Sequence, residues 1–150
     1  LKGVLLIDDE QMNDGIKMIQ NALVCFYEEK RDGFALMTEF VKAKIGIEIV
    51  QGDRTLKPMS VLKNIGFILS NVVGATGKCE TQLKEVLKLA KKTGAIGVSG
   101  QAHFQLGLLY KKRGKKDIAG SHLKKAVGIF KDVGAFVYLD KAITELNSIK

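Results

Sequence analysis

The sequence predicts an all-α chain of successive antiparallel helices, and three observations carry that expectation. Apolar residues recur at helical spacing: Ile16, Ile19 and Leu23 run on to Phe26 and Tyr27, while Leu83, Val86, Leu87 and Ala90 share a face, as do Leu123, Ala126, Val127 and Phe130. Helix ends are marked at Asn13-Asp14, Arg31-Asp32-Gly33, Lys92-Thr93-Gly94 and Arg113-Gly114, several with glycine as the stop. The chain also repeats itself. Cys79, Leu83, Leu87, Gly94 and Ala95 are matched by Ala119, Leu123, Val127, Gly134 and Ala135 at a constant offset of 40 residues.

Taken in order, a helical stub covers residues 1–7, and helices follow at 13–31, 33–51, 58–73, 77–93, 97–113, 115–132 and 134–149. Strand-like runs at Val4–Ile7 and Ile45–Val50 are short, and the second sits inside a longer helical pattern. Pro58 suits the first turn of its helix, where a missing N–H leaves no intrahelical bond unmade. Most connections are two to four residues, with a longer one over Gln51–Lys57, and short connections force neighbouring helices antiparallel. A second echo pairs Ile45-Gly46 with Leu106-Gly107 at an offset of 61 residues, and the surplus of 21 over one repeat is about the length of Arg54–Val73. The helix at 58–73 therefore reads as an insertion, over about residues 54–76, between the two helices of one repeat unit. An alternative alignment pairs Ile65-Gly66 with Leu106-Gly107 and makes that helix a repeat member with a slipped loop.

The stretch from Gly100 to Lys131 resembles a tetratricopeptide repeat (TPR), with Leu106, Gly107, Tyr110, Gly114, Ala119 and Ala126 at the characteristic places. Gly107 and Ala119 let two helices cross closely, Tyr110 fills the space between them, and Gly114 turns the chain. His103, Leu123 and Lys131 depart from the pattern, standing where a tryptophan, an aromatic residue and a proline are usual. The 40-residue spacing also exceeds the roughly 34 of the standard repeat. Across most of the chain, Gly15-Ile16 with Ala22-Leu23, Ile45-Gly46-Ile47, Lys63-Asn64-Ile65-Gly66-Phe67 and Leu106-Gly107-Leu108-Leu109 follow in a particular order. That order resembles the C-terminal helical-repeat tail of bacterial multidomain adenylate/guanylate cyclases, which also carry an AAA-type ATPase module.

The resemblance implies a TPR-like superhelix of antiparallel helix pairs with an inserted apolar helix, forming a single domain over residues 1–150 of a longer cytoplasmic protein. Its final helix, at 134–149, caps the stack. The implied role is a non-catalytic scaffold for protein–protein or interdomain contacts in signalling, with self-association left open. A self-contained adaptor without an attached enzyme is the alternative. The concave groove is assigned by resemblance to Gln101, Phe104, Leu108, Lys111 and Lys112 in one unit, and to Phe40, Ala43, Ile47, Val50 and Gln51 in the earlier one. These residues are largely apolar, unlike a groove that grips a peptide's terminal carboxylate through Lys and Asn. Apolar groove positions need cover, and the helix at 58–73, apolar on nearly every side, is the expected built-in ligand.

Composition excludes several other classes. Apolar residues are 46% and charged residues 27% of 150, a globular balance, and no apolar run reaches the roughly 18 residues of a membrane span. Trp is absent and aromatics are 7%, which argues against a base-stacking platform. The net charge of +8 is local: residues 77–132 hold 13 Lys/Arg against 4 Asp/Glu, whereas residues 1–76 hold 9 against 10. Lys91, Lys92, Arg113, Lys115 and Lys116 form the expected basic face. Of the basic residues 21 are lysines and three arginines, whereas base and phosphate readers favour arginine's bidentate fork. A solvated face or an acidic protein partner is therefore expected ahead of a lysine-rich nucleic-acid module.

Chemical motifs are weak. Gly74-Ala75-Thr76-Gly77-Lys78-Cys79 lacks the leading glycine and the Ser or Thr of a phosphate loop, and it follows a helix where that motif follows a strand. Gly94, Gly97 and Gly100 are not spaced as a dinucleotide fingerprint. Asp8-Asp9-Glu10 with Asp14 lacks the glycine and terminal glutamate of a calcium loop. Cys25 and Cys79 cannot make a disulfide framework, and neither pairs with His103 or His122 at metal-ligand spacing. No catalytic residue, metal site or cofactor is expected.

Overall fold

The computed structural model describes residues 12–51 and 75–149. Among them every regular element is an α-helix: α1 (Met12–Glu28), α2 (Asp32–Gln51), α3 (Ala75–Thr93), α4 (Ile96–Lys112), α5 (Lys116–Asp132) and α6 (Phe136–Asn147). The all-α class holds, and the boundaries fall within a few residues of those read from periodicity. The stub at 1–7, the inserted helix at 58–73 and the Asp8-Asp9-Glu10 cluster lie outside the described residues. The chain divides into two compact units, Leu1–Cys79 and Glu80–Lys150.

In the first unit α1 packs on α2. Ile19 and Leu23 are buried on α1, and Ala35, Leu36, Phe40, Ala43 and Ile47 on α2, at the spacing of one helix face. The connection is a left-handed helix stop. Arg31 N–H donates to the Phe26 carbonyl at 2.8 Å and Lys30 N–H to the Tyr27 carbonyl at 3.2 Å. Lys30 stands at φ 55°, where glycine normally serves, while Gly33 falls inside the first turn of α2. Phe26 stacks on Phe34 across this turn, ring centres 5.4 Å apart.

In the second unit one joint is used three times. Gly94, Gly114 and Gly134, spaced 20 residues apart, take φ of +69°, +71° and +68°. The next residues, Ala95, Lys115 and Ala135, donate their N–H to the carbonyls of Ala90, Tyr110 and Phe130 at 2.9, 3.0 and 2.8 Å, closing a Schellman stop. Those same three residues sit at φ/ψ of −79°/69°, −85°/68° and −85°/64°, an inverse γ-turn that starts the following helix. The 40-residue sequence repeat is thus two 20-residue steps of helix plus joint.

Packing then follows sequence neighbours, α4 on α5 and α5 on α6, with α4 also reaching α6. The close crossing expected at Gly107 is present: a Cβ there would lie 2.6 Å from Leu123 Cγ and 3.4 Å from the Ala119 carbonyl oxygen. At Gly100 a Cβ would lie 2.8 Å from Ile129 Cγ2 and 2.9 Å from Phe130 Cε1. Phe130 anchors the cluster beyond, fully buried with Ala126 and Ala142 and packed by Phe104, Val127, Ala135 and Leu139. Its ring meets Phe104 edge-on and stacks with Tyr138, at centre distances of 6.4 and 5.5 Å. One repeat on from α4, Ala142 and Leu146 of α6 keep the places of Ala102 and Leu106, but Asp140 and Asn147 replace Gly100 and Gly107. A helix cannot approach α6 there as closely as α5 approaches α4.

Glycine substitutions separate these roles. Gly107→Ala forces Leu123 aside and should cost about 1–3 kcal/mol. Gly128→Ala, exposed with nothing within 4 Å of a new Cβ, should add about 1 kcal/mol of helix propensity. Lys30→Gly should add roughly 1 kcal/mol by relieving the left-handed strain. Urea unfolding of the three variants measures all of these.

Candidate functional site

A chain of polar contacts runs through the second unit. Glu80 accepts hydrogen bonds from Lys84 Nζ at 2.6 Å and Arg113 Nη1 at 2.5 Å, both partly sheltered from solvent at the carboxylate. Together with the Tyr110 hydroxyl, these donors hold the Glu80 carboxyl down to about 2. The Arg113 guanidinium lies 5.8 Å from the centre of the Tyr110 ring, a cation–π contact. Tyr110 stacks in turn on His122 at 5.5 Å. His122 Nδ1 is 2.9 Å from His103 Nδ1, which ties α5 to α4.

Two facing ring nitrogens can share only one proton in that bond, so one imidazole donates and the other accepts. The surroundings favour this neutral pair. Burial first, then His122 and Lys125, push His103 down to about 4. Burial, followed by Lys125 and Lys84, also lowers His122, against an opposing pull from Glu80.

His103 also borders a cavity of about 450 Å³, open to solvent, between the end of α3 and the start of α4. Leu87, Ala90 and Ile96 give it apolar walls, Gly94 lies at the joint, and Lys91, Ser99 and His103 add polar groups. Among the described residues no carboxylate lines it.

The residues singled out from sequence fall in several places. Phe40, Ala43 and Ile47 are 7, 0 and 3% exposed and present no open surface. The Val50 side chain lies outside the described residues. Gln101 and Leu108 are half-buried, whereas Phe104 packs edge-on to Phe130. Lys111 pairs with Glu145 of α6 at 2.6 Å and donates to Ser148 at the same distance, and Lys112 is exposed. Within the basic face Lys91, Lys92, Lys115 and Lys116 are exposed, but Arg113 turns inward to Glu80 and Tyr110. Only Lys91 borders the cavity.

Sequence reasoning missed the histidine pair, the Glu80–Arg113 bond and the cavity. The pair was within reach, because a hairpin about Gly114 lays α4 against α5. The cavity depends on side-chain sizes across two helices. Cys79 is buried, and the exposed Cys25 thiol is held up mainly by its hydrogen bond to Glu29. Among the described residues no group of three or more His, Cys, Asp or Glu gathers to hold a metal ion, and no helix is long and apolar enough to cross a membrane.

His103, His122 and Glu80 each bind a proton less readily in the folded chain than in the unfolded one. Stability from both histidines is therefore complete above about pH 6.5, the ordinary imidazole value, and falls as pH drops below it, for His103 toward about 4. The Glu80 contribution is lost below that, from the ordinary 4.5 down toward about 2. Urea midpoints across this range should show two acid steps, with His103→Gln flattening the upper and Glu80→Gln the lower. Comparison with protein-family models, curated proteins and solved structures finds no match for this chain.

Proposed function

We propose that this chain is a non-catalytic, TPR-like helical-repeat scaffold that holds a partner protein or a neighbouring domain of its own polypeptide. Its setting in this reading is a cytoplasmic signalling protein of the nucleotide-cyclase kind. The observation that carries the reading is the thrice-used joint at Gly94, Gly114 and Gly134. Helices added by one local rule bury their cores against sequence neighbours and leave long faces free for partners.

Charge supports an acidic protein partner. Lys112, Lys115 and Lys116 are exposed around the α4–α5 joint. The one arginine of residues 77–132, Arg113, is spent on Glu80 and Tyr110 and is withheld from phosphate or base contacts. The test compares the full-length gene product with a version lacking residues 75–149, mapping contacts by cross-linking mass spectrometry. The scaffold reading expects cross-links from the exposed lysines of α3–α5 to acidic segments, lost on deletion, with any upstream nucleotide turnover retained. Turnover that requires groups within 75–149, or steeply salt-dependent binding to a DNA duplex, would contradict it.

A further inference from the structure

The two helix pairs α3–α4 and α5–α6 are related by the 40-residue offset, and they share the same joint. They differ in what fills the space beside it. In the later pair Phe130 is buried, and the partly buried Leu139 and Val127 pack against its cluster. Their counterparts in the earlier pair are Ala90, Ser99 and Leu87. Two large side chains become two small ones on a similar backbone, and the cavity of about 450 Å³ lies there. The opening is therefore written into side-chain size.

We propose that this cavity between α3 and α4 is a docking pocket for a short acidic peptide segment, which inserts one apolar side chain and sets a neighbouring carboxylate against Lys91. The apolar walls of Leu87, Ala90 and Ile96 match an aliphatic or aromatic side chain. Lys91 is exposed and, among the described residues, has no carboxylate partner, whereas Lys84 and Lys88 of the same helix pair with Glu80 and Glu85. Lys91 gives the lining a cation, and among the described residues no acidic group lines it. Ligands of the opposite sign are favoured there. His103 spends Nδ1 on His122 and keeps Nε2 for a peptide carbonyl or amide.

This proposal rests on the scaffold reading and narrows it to one pocket and one partner chemistry. The probe is a displayed library of random heptapeptides selected on the full 150-residue chain, with the enriched peptides synthesised and titrated by fluorescence anisotropy. Enriched sequences should pair an apolar residue with adjacent Asp or Glu. Their amide shift changes should centre on Lys91, Ile96 and Ser99. Ser99→Leu, which borrows the side chain at Leu139, should weaken binding by about tenfold or more while leaving the melting temperature unchanged or raised. Lys91→Glu should weaken it by a comparable factor, and a peptide with its acids changed to Lys should not bind. Enrichment of basic sequences, equal binding to Ser99→Leu, or shifts centred on other residues would overturn the pocket. Displacement of the peptide by an anionic vesicle or a nucleotide at Lys91 would overturn the peptide assignment. The lysine cross-links of the full-length protein are read separately: undiminished peptide binding to Ser99→Leu with the cross-links intact removes the pocket and leaves the scaffold, whereas absence of the cross-links in the unmodified protein removes the scaffold.

Discussion

The structure of the second unit depends on one constraint, the positive φ that ends each helix and the inverse γ-turn that begins the next. At Gly94, Gly114 and Gly134 the left-handed residue lets the following N–H reach back to the helix it leaves. The residue after the glycine then commits its own carbonyl to the next helix: Lys115 accepts from Ala119 and Ala135 from Leu139, at 3.0 and 2.9 Å. No side-chain cap is present at any of the three starts. The backbone itself does that work, which frees the side chains beside each joint to vary. Lys30 shows the cost of departing from the rule, since its stop has the same hydrogen bonds with a Cβ in the way.

Once the joints set helix directions, small residues set helix distances. Gly100 and Gly107 give α5 room against α4, and the buried Ala119, Leu123, Ala126 and Phe130 fill it. The polar chain from Lys84 through Glu80, Arg113, Tyr110 and His122 to His103 runs across the same helices. Its members are mutually dependent: the carboxylate anchors Arg113, Arg113 covers Tyr110, and Tyr110 supports the imidazole that meets His103. A buried or half-buried chain of this kind fixes one register of α5 on α4, because any slip leaves polar groups without partners.

Much of this was legible in the residues. Helical periodicity, glycine stops and the 40-residue offset place every described helix to within a few positions. The close crossing at Gly107 and the turn at Gly114 were also readable, because each is a local demand that few residues can meet. Two kinds of feature were not. The cavity beside His103 follows from Ala90 and Ser99 standing where Phe130 and Leu139 stand one repeat later, a comparison that needs to know which side chains face each other. Arg113 reads as part of a basic run, yet its long side chain folds back to Glu80, 33 residues away. Charge counting along a chain cannot see such pairings, which is why the basic face is thinner than its sequence suggests.

Amide hydrogen exchange at Ala95, Lys115 and Ala135 reads directly whether one hydrogen-bonded joint repeats through the second unit. Each of these N–H groups donates to a carbonyl of the preceding helix at 2.8–3.0 Å, so similar protection is expected at all three, well above that of an open turn. Unprotected exchange at any one of them, with the flanking helices intact, would contradict it.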